Sequence, residues 1–391
     1  MLYLGVEFLF ACALIVLLMR VGQSSIVACL AAGLLLQPLS VFVTGEPHAD
    51  TRNDLQQLGI LFLLFMAGLE TDLGLMRRAW KLVGITGLGQ ITVNFAAAAA
   101  LGFVLAQLGW LDLDSRESLW VFALCLTLSS TVVVLGLLRT HRATGTHYGQ
   151  AIVGLMVLQD LVAVVALSLL GVDEAAHSLG PRPLMRLTLE FAVLAGLMLL
   201  AGRTLVPWAL ARIERDESLL LIGSIGWCTA VAGLAQLAGF PATIAAFLAG
   251  VALSETPQKH AIAPRIEPLK TVGLTLYFIY LGYSLNLEAF RVPMLLPIVF
   301  GVALIVAGRP LLMRLLGRWA GLDAHGSSRF GFTINQGSEF SMILAATALG
   351  AGLFDSGTFL VVLLICVVSL VIGAWTHERP HRHGASPEPS A

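Results

Sequence analysis

Apolar runs of about 20 residues recur along the whole chain, separated by short polar connections. A helix of that length crosses roughly 30 Å of hydrocarbon and satisfies its own backbone N–H and C=O groups in a solvent that offers no partners. Composition agrees, since 57% of the 391 residues are hydrophobic and 12% are charged, with a mean hydropathy of +0.87, far outside the range of soluble domains. The spacing predicts an all-α polytopic membrane protein of about thirteen helices. Their expected spans are 3–19, 25–43, 55–74, 80–108, 118–139, 148–171, 186–211, 217–237, 241–254, 271–287, 293–316, 328–349 and 356–375.

Cytoplasmic loops retain Lys and Arg, so their distribution sets orientation. With the N-terminus outside, the inner loops hold Arg20, Arg77, Arg78, Lys81, Arg139, Arg142, Arg203, Arg212, Arg215, Lys259, Arg265, Lys270, Arg314, Arg318 and Arg329, and the tail holds Arg379 and Arg382. The outer loops hold only Arg52, Arg116, Arg182, Arg186 and Arg291. This asymmetry predicts a multi-pass protein of the cell (inner or plasma) membrane, N-terminus outside and C-terminus cytoplasmic. The first helix lacks a basic n-region and a small-residue cleavage site, so it is expected to be kept. The near-neutral total charge of −1 says nothing about partners; membrane lipid is the expected surround, and no nucleic acid is expected.

Internal repeats come before local motifs. The stretch "IVACLAAGLLL" (26–36) lies over "TIAAFLAGVAL" (243–253), matching Gly33 to Gly250. Likewise "LGILFLLFMAGLETDL" (58–73) lies over "VGLTLYFIYLGYSLNL" (272–287), matching Gly59 to Gly273 and Gly68 to Gly282. The first six helices then correspond to the last six, with the seventh as linker. Because the halves start on opposite sides, the repeat is inverted, an architecture in which secondary transporters bind cargo near the midplane. The expected transmembrane domain covers 1–376, with repeat one at about 1–171, a linker helix at about 186–211 and repeat two at about 217–375; residues 377–391 are expected to form a short disordered cytoplasmic tail.

Corresponding helices of the two halves carry "TLSSTVVV" (127–134) and "TINQGSEFSM" (333–342). Such runs of Ser, Thr, Asn, Gln and Gly compete with helical hydrogen bonding, and both helices are expected to break there. Ser130 and Thr131 fall in the first break; Gln336, Ser338 and Glu339 fall in the second.

Ionisable groups at depth are costly and mark ion or proton pathways. Three lie deep by this reading, Asp160, Arg309 and Glu339, whereas Glu7, Glu70, Asp72 and Glu190 lie nearer helix ends. Around Asp160, the Gln159 amide, Thr131, Ser130, unwound carbonyls and water would supply a hard, oxygen-only shell suited to an alkali cation. The histidines lie in loops or the tail, and Cys12, Cys29, Cys125, Cys228 and Cys366 fall one per helix without CxxC spacing, so no other metal site and no cofactor is expected. No nucleophile elbow or metal motif points to an enzyme.

Charge balance decides what titrates. If Arg309 neutralises Glu339, the favoured pairing, Asp160 is left without a fixed countercharge and must hold either a proton or a metal ion. Competition for one carboxylate would then couple the fluxes one for one and electroneutrally. If Arg309 instead pairs with Asp160 and Glu339 also titrates, exchange could be electrogenic. A proton-uncoupled potassium channel or uniport pathway, an organic-solute symporter and a membrane sensor are the competing readings; the deep Asp160, Arg309 and Glu339 together argue against an organic cargo.

The chain resembles the monovalent cation:proton antiporter family 2, and within it the membrane domain of Kef-type potassium efflux antiporters. The resemblance is carried by "LFLLFMAGLETDL" (61–73), "LSSTVVV" (128–134), "VLQDLVAVV" (157–165), "AAFLAGVALSET" (245–256), "IEPLKTVGLTLYFIYLGYSLNL" (266–287) and "NQGSEFSMIL" (335–344). It implies an ion-binding core and a dimerisation domain, a homodimer, crossing of the two broken helices and elevator-like movement. Its site carboxylate falls on Asp160, its adjacent amide on Gln159, its hydroxyl on Thr131 and its second acid on Glu339. It also implies exchange of protons for K+, with Na+ the alternative, and Gln159 leans toward K+. The loop "KHAIAPRIEPLK" (259–270) resembles the place where Kef membrane domains meet a cytoplasmic nucleotide-binding domain; here no GxGxxG follows, and a separate cytoplasmic regulatory subunit or a plain charged loop are the two readings.

Overall fold

A computed structural model of the chain describes residues 2–20, 23–43, 49–71, 74, 80–143, 146–170, 196–198, 200–202, 204–206, 208–209, 212, 216–238 and 240–378. The described stretches of the expected linker, from 196 to 209, are helical; Glu190, Arg203 and Pro207 lie outside the described residues, as do Asp72, Arg77, Arg78, Arg182, Arg186, Arg215 and residues 379–391 of the tail.

All regular structure among these residues is helical: α1 (Leu2–Met19), α2 (Ser25–Val43), α3 (Ala49–Glu70), α4 (Trp80–Val83, Gly84–Leu88 and Gly89–Gln107), α5 (Arg116–Thr127), α6 (Thr131–Thr140), α7 (His147–Leu170), α8 (Glu217–Leu237), α9 (Ala242–Leu253), α10 (Lys259–Tyr283), α11 (Leu295–Ala303, Leu304–Gly308 and Arg309–Trp319), α12 (Ala324–Thr333), α13 (Glu339–Gly350) and α14 (Ser356–Glu378). By length and composition α4, the α5–α6 pair, α7, α8, α11 and α14 can each cross a membrane.

Two bundles result. In the first, α3 and α2 pack against α9 and α10, with α1 and α8 at its sides; in the second, α4, α7, α11 and α14 pack around the α5–α6 and α12–α13 pairs. Glycines seal the first bundle, because small residues let membrane helices approach to backbone contact. A Cβ on Gly59 would lie 2.6 Å from the carbonyl carbon of Gly273, and one on Gly33 would run into Ile279 and Gly282 while one on Gly250 would run into Phe65 and Gly68. Under the repeat, Gly33 corresponds to Gly250 and Gly282 to Gly68, so the Gly33–Gly282 contact maps onto the Gly250–Gly68 contact, while Gly59 meets its own counterpart. That exchange is what a pseudo-two-fold axis between inverted halves produces.

The second bundle carries the interruptions. The chain leaves helical geometry at Leu128 (φ −75°, ψ 148°) and resumes at Thr131; it leaves again after Thr333 and resumes at Glu339, where the Ser338 hydroxyl caps α13 by accepting from Phe340 N–H at 3.1 Å. In α4 and α11 a single π-helical turn, Gly84–Leu88 and Leu304–Gly308, sits just before Gln90 and Arg309. Inserting an extra residue into a turn rephases the side chains that follow, and both long polar side chains turn toward the breaks.

One boundary differs in kind. Residues 259–270 are the first half of α10, not a loop, since Ile262 and Ile266 are fully buried at i,i+4 spacing while Pro264, Glu267 and Pro268 face outward. The prolines sit on the outward face, where their missing N–H groups and ring bulk do not interrupt packing, so the expected loop is corrected to helix.

Candidate cation site at the helix crossover

A helix that stops inside a membrane leaves carbonyls at its C-terminal end and N–H groups at its N-terminal start without partners. The ends of α5 and α12 converge on Arg309, which is 1% exposed. Its Nη2 donates to Leu126 O at 2.6 Å and Leu128 O at 3.1 Å; its Nη1 donates to Ile334 O at 3.1 Å, Gln336 O at 2.8 Å and Ser129 Oγ at 2.8 Å. One guanidinium thus ties both breaks together, using the planar fork of donors that only arginine offers.

Glu339 lies elsewhere. It is the first residue of α13, 1% exposed, with its carboxylate beside the Ser130 hydroxyl and the Val132 N–H at the start of α6, closing a hydrogen bond to neither. Among the described residues no carboxylate forms an ion pair with Arg309. The expected Arg309–Glu339 pairing is therefore corrected, and the reason is the helix dipole. Each helix end carries about half an elementary charge, so two C-terminal ends balance Arg309 and two N-terminal starts balance Glu339. Ser338 and Gln336 take part as backbone scaffold, Ser338 as the α13 cap and Gln336 through its carbonyl, while the Gln336 amide donates to Thr333 O at 3.2 Å.

Among the described residues Asp160 has no such compensation. It sits mid-way along α7, 6% exposed, and accepts one hydrogen bond, from Thr131 Oγ1 at 2.9 Å. Ser130 Oγ accepts from Val133 N–H at 3.3 Å, and no hydrogen bond joins it to Asp160. In the facing bundle, Lys270 of α10 is mostly buried, with Nζ 3.9 Å from Glu267 Oε1.

Gln159 also departs from expectation. Its Oε1 accepts from Ser129 N–H at 2.8 Å, and its Nε2 donates to Gln90 Oε1 at 2.8 Å and toward Thr127 O at 3.5 Å. Both ends of the amide are committed to the α5 break, so in this conformation it clamps the chain and does not face a cation beside Asp160. Sequence reasoning missed Gln90, although "GQITVN" places Gln90 and Asn94 one turn apart in an apolar run, and it placed Lys270 in a loop.

Residues 8–378 match the family described as sodium/hydrogen exchanger, transmembrane. The chain belongs to this family. This exchanger is accordingly a multi-pass membrane protein of the cation:proton antiporter class, a transporter whose cargo is cations and protons. Among solved structures it is similar to the sodium proton antiporter MjNhaP1 from Methanocaldococcus jannaschii at pH 8, with 16% identity, 96% of each chain covered and a TM-score of 0.68. An electron-microscopy map of the same antiporter gives a TM-score of 0.64 at 14% identity, covering 95% of this chain and 94% of that one. At such identity the likeness carries the fold, all-helical and polytopic.

Proposed function

We propose that this exchanger swaps a monovalent alkali cation for a proton at Asp160, with K+ the favoured cargo and Na+ the alternative. The observation that carries the reading is the contrast at the crossover: Arg309 and Glu339 each sit among helix ends of opposite sign, whereas buried Asp160 has, among the described residues, one hydroxyl donor and no ion pair. A carboxylate so placed holds either a proton or a cation, because an uncompensated buried charge costs several kcal/mol, about the scale of the whole folding free energy. Thr131 serves both states. Its hydroxyl donates to the ionised carboxylate, and by rotating about Cβ–Oγ1 it presents a lone pair to a bound ion.

With Glu339 balanced by α6 and α13, one acid exchanges per cycle, and transport is one for one and electroneutral. The K+ preference is drawn from the resemblance to the membrane domain of Kef-type antiporters. The bundle carrying the crossover moves, elevator-fashion, against the glycine-sealed bundle of α1–α3 and α8–α10, which also supplies the homodimer contact. Loop charge orients the N-terminus outside and the C-terminus in the cytoplasm of the cell membrane.

The test is transport in proteoliposomes with an internal pH dye, adding K+, Na+, Li+ and Rb+ in turn. Cation-driven proton movement is expected, largest with K+, and none from Asp160→Asn. Proton movement surviving that substitution overturns the reading, and K+ flux without protons replaces it with a channel. A potential-sensitive dye should stay silent.

A further inference from the structure

We propose that Gln90 is a specificity-determining positioning residue: it holds the Gln159 amide on the α5 break and so keeps it out of the coordination shell at Asp160. This rests on the exchange reading above. Gln90 is fully buried and Gln159 is 1% exposed. Hydrogen-bond direction is fixed along the whole relay. The Ser129 N–H can only donate, so the oxygen of Gln159 faces it at 2.8 Å; the Gln159 nitrogen must then face the oxygen of Gln90 at 2.8 Å; and the Gln90 nitrogen faces Thr127 O at 3.1 Å. Turning either amide over would set donor against donor and acceptor against acceptor in a buried place.

The relay matters because of where Gln159 sits in sequence, directly before Asp160. An amide oxygen there is a ready ligand for an alkali ion. Anchored as it is, it leaves the ion with the Asp160 carboxylate, the Thr131 hydroxyl and water. Ion discrimination depends on the number and rigidity of protein oxygens around the ion, so a residue that withholds one oxygen sets selectivity without touching cargo. The π-helical turn Gly84–Leu88 is the local device that delivers Gln90 to this point. It has a counterpart in the turn Leu304–Gly308 before Arg309, and the two side chains share the work at the same break: Gln90 takes Thr127 O, while Arg309 takes Leu126 O and Leu128 O.

Loss of the Gln90 oxygen leaves the Gln159 nitrogen with only the 3.5 Å approach to Thr127 O, so the Ser129 N–H alone holds the amide closely and a bound ion at Asp160 competes with it for the Gln159 oxygen. The readout is the ratio of apparent KM for K+ and Na+ in proteoliposomes, with cation-dependent shifts in Tm of the detergent-solubilised protein as a measure of binding that needs no transport. Gln90→Met, which fills the space without a donor or acceptor, and Gln90→Asn, which is too short to span Gln159 and Thr127 O, should both move the ratio by roughly three- to tenfold, the scale of one hydrogen bond. Gln90→Glu, which as the neutral acid accepts from Gln159 and donates its O–H to Thr127 O, should stay within about twofold of wild type. A wild-type ratio in both the Met and Asn variants, by both readouts, overturns the proposal. If wild-type vesicles show no cation-driven proton movement, the exchange reading fails instead, and the Tm shifts alone decide for or against the relay.

Discussion

Arg309 and Asp160 are both ionisable, both buried in the same bundle, and opposite in how a charge there is met. Arg309 spends its donors on five acceptors, four of them carbonyls freed by the broken helices. Asp160 accepts one hydrogen bond, from a hydroxyl that can turn away. A saturated charge is part of the framework, since moving it would orphan every group it serves. A charge left short of partners is available for something that comes and goes. The two breaks in the backbone thus do separate jobs. Their C-terminal ends build a fixed cationic centre, their N-terminal starts accommodate Glu339, and the remaining carboxylate is left for cargo.

The sharpest way to break this comparison is to neutralise each charge in turn and read transport and stability side by side. Asp160→Asn should abolish cation-driven proton movement while holding or raising Tm, because it removes an uncompensated buried charge and keeps a group that can bond Thr131. Arg309→Met should do the reverse in kind: it strips five acceptors of their donor, and a loss of about 3–5 kcal/mol is expected, seen as a collapse of Tm or of folded yield. Arg309→Lys keeps the charge but not the fork and should recover only part of that loss. Equal destabilisation by Asp160→Asn and Arg309→Met would erase the distinction drawn between them.

The parts of this site that could be read in the sequence are those written in side-chain chemistry. Asp160 stands out as an acid in an apolar run, "SST" and "NQGSE" as stretches that resist a helix, and Gly33, Gly59 and Gly68 align with Gly250, Gly273 and Gly282 because close backbone approach tolerates no Cβ. The partner of Arg309 could not be read the same way. Sequence shows opposite charges, which suggest Glu339, but every residue carries a carbonyl, and only the fold decides which carbonyls lose their helical partners. Gln90 was hidden for a similar reason, since one amide in an apolar helix has meaning only once a π-helical turn aims it. Residues 259–270 misled through two prolines and several charges, which look like a loop until burial of Ile262 and Ile266 shows which face is packed.

Glu339 tests the dipole side of the comparison. If the starts of α6 and α13 balance its charge, Glu339→Gln puts a neutral group beside those helix starts and removes a charge–dipole attraction of about 1 kcal/mol. Exchange should persist, electroneutral as before, with apparent cation affinity changed by no more than about tenfold. A switch in the potential-sensitive dye between wild type and Glu339→Gln would instead show that Glu339 carries a proton through the cycle, making two acids exchangeable and Arg309 the only fixed charge of the crossover.

The smallest effect should come from Thr131, whose hydroxyl is the single donor to Asp160 among the described residues. Thr131→Val keeps the shape and removes one hydrogen bond to a charged group, worth about 1.5–3 kcal/mol where nothing replaces it. Water can replace it here, because the cargo itself must reach Asp160, so the net effect should fall below that range, at about 1 kcal/mol, and read as a roughly fivefold rise in apparent KM with little change in Tm. Thr131→Ser, which restores the hydroxyl, should restore affinity. Loss of function in both would mean that the β-branched methyl, and hence packing at the start of α6, matters more than the ligand; affinity unchanged in Thr131→Val would leave Asp160 with water alone as the cation's company and widen further the gap between the two buried charges.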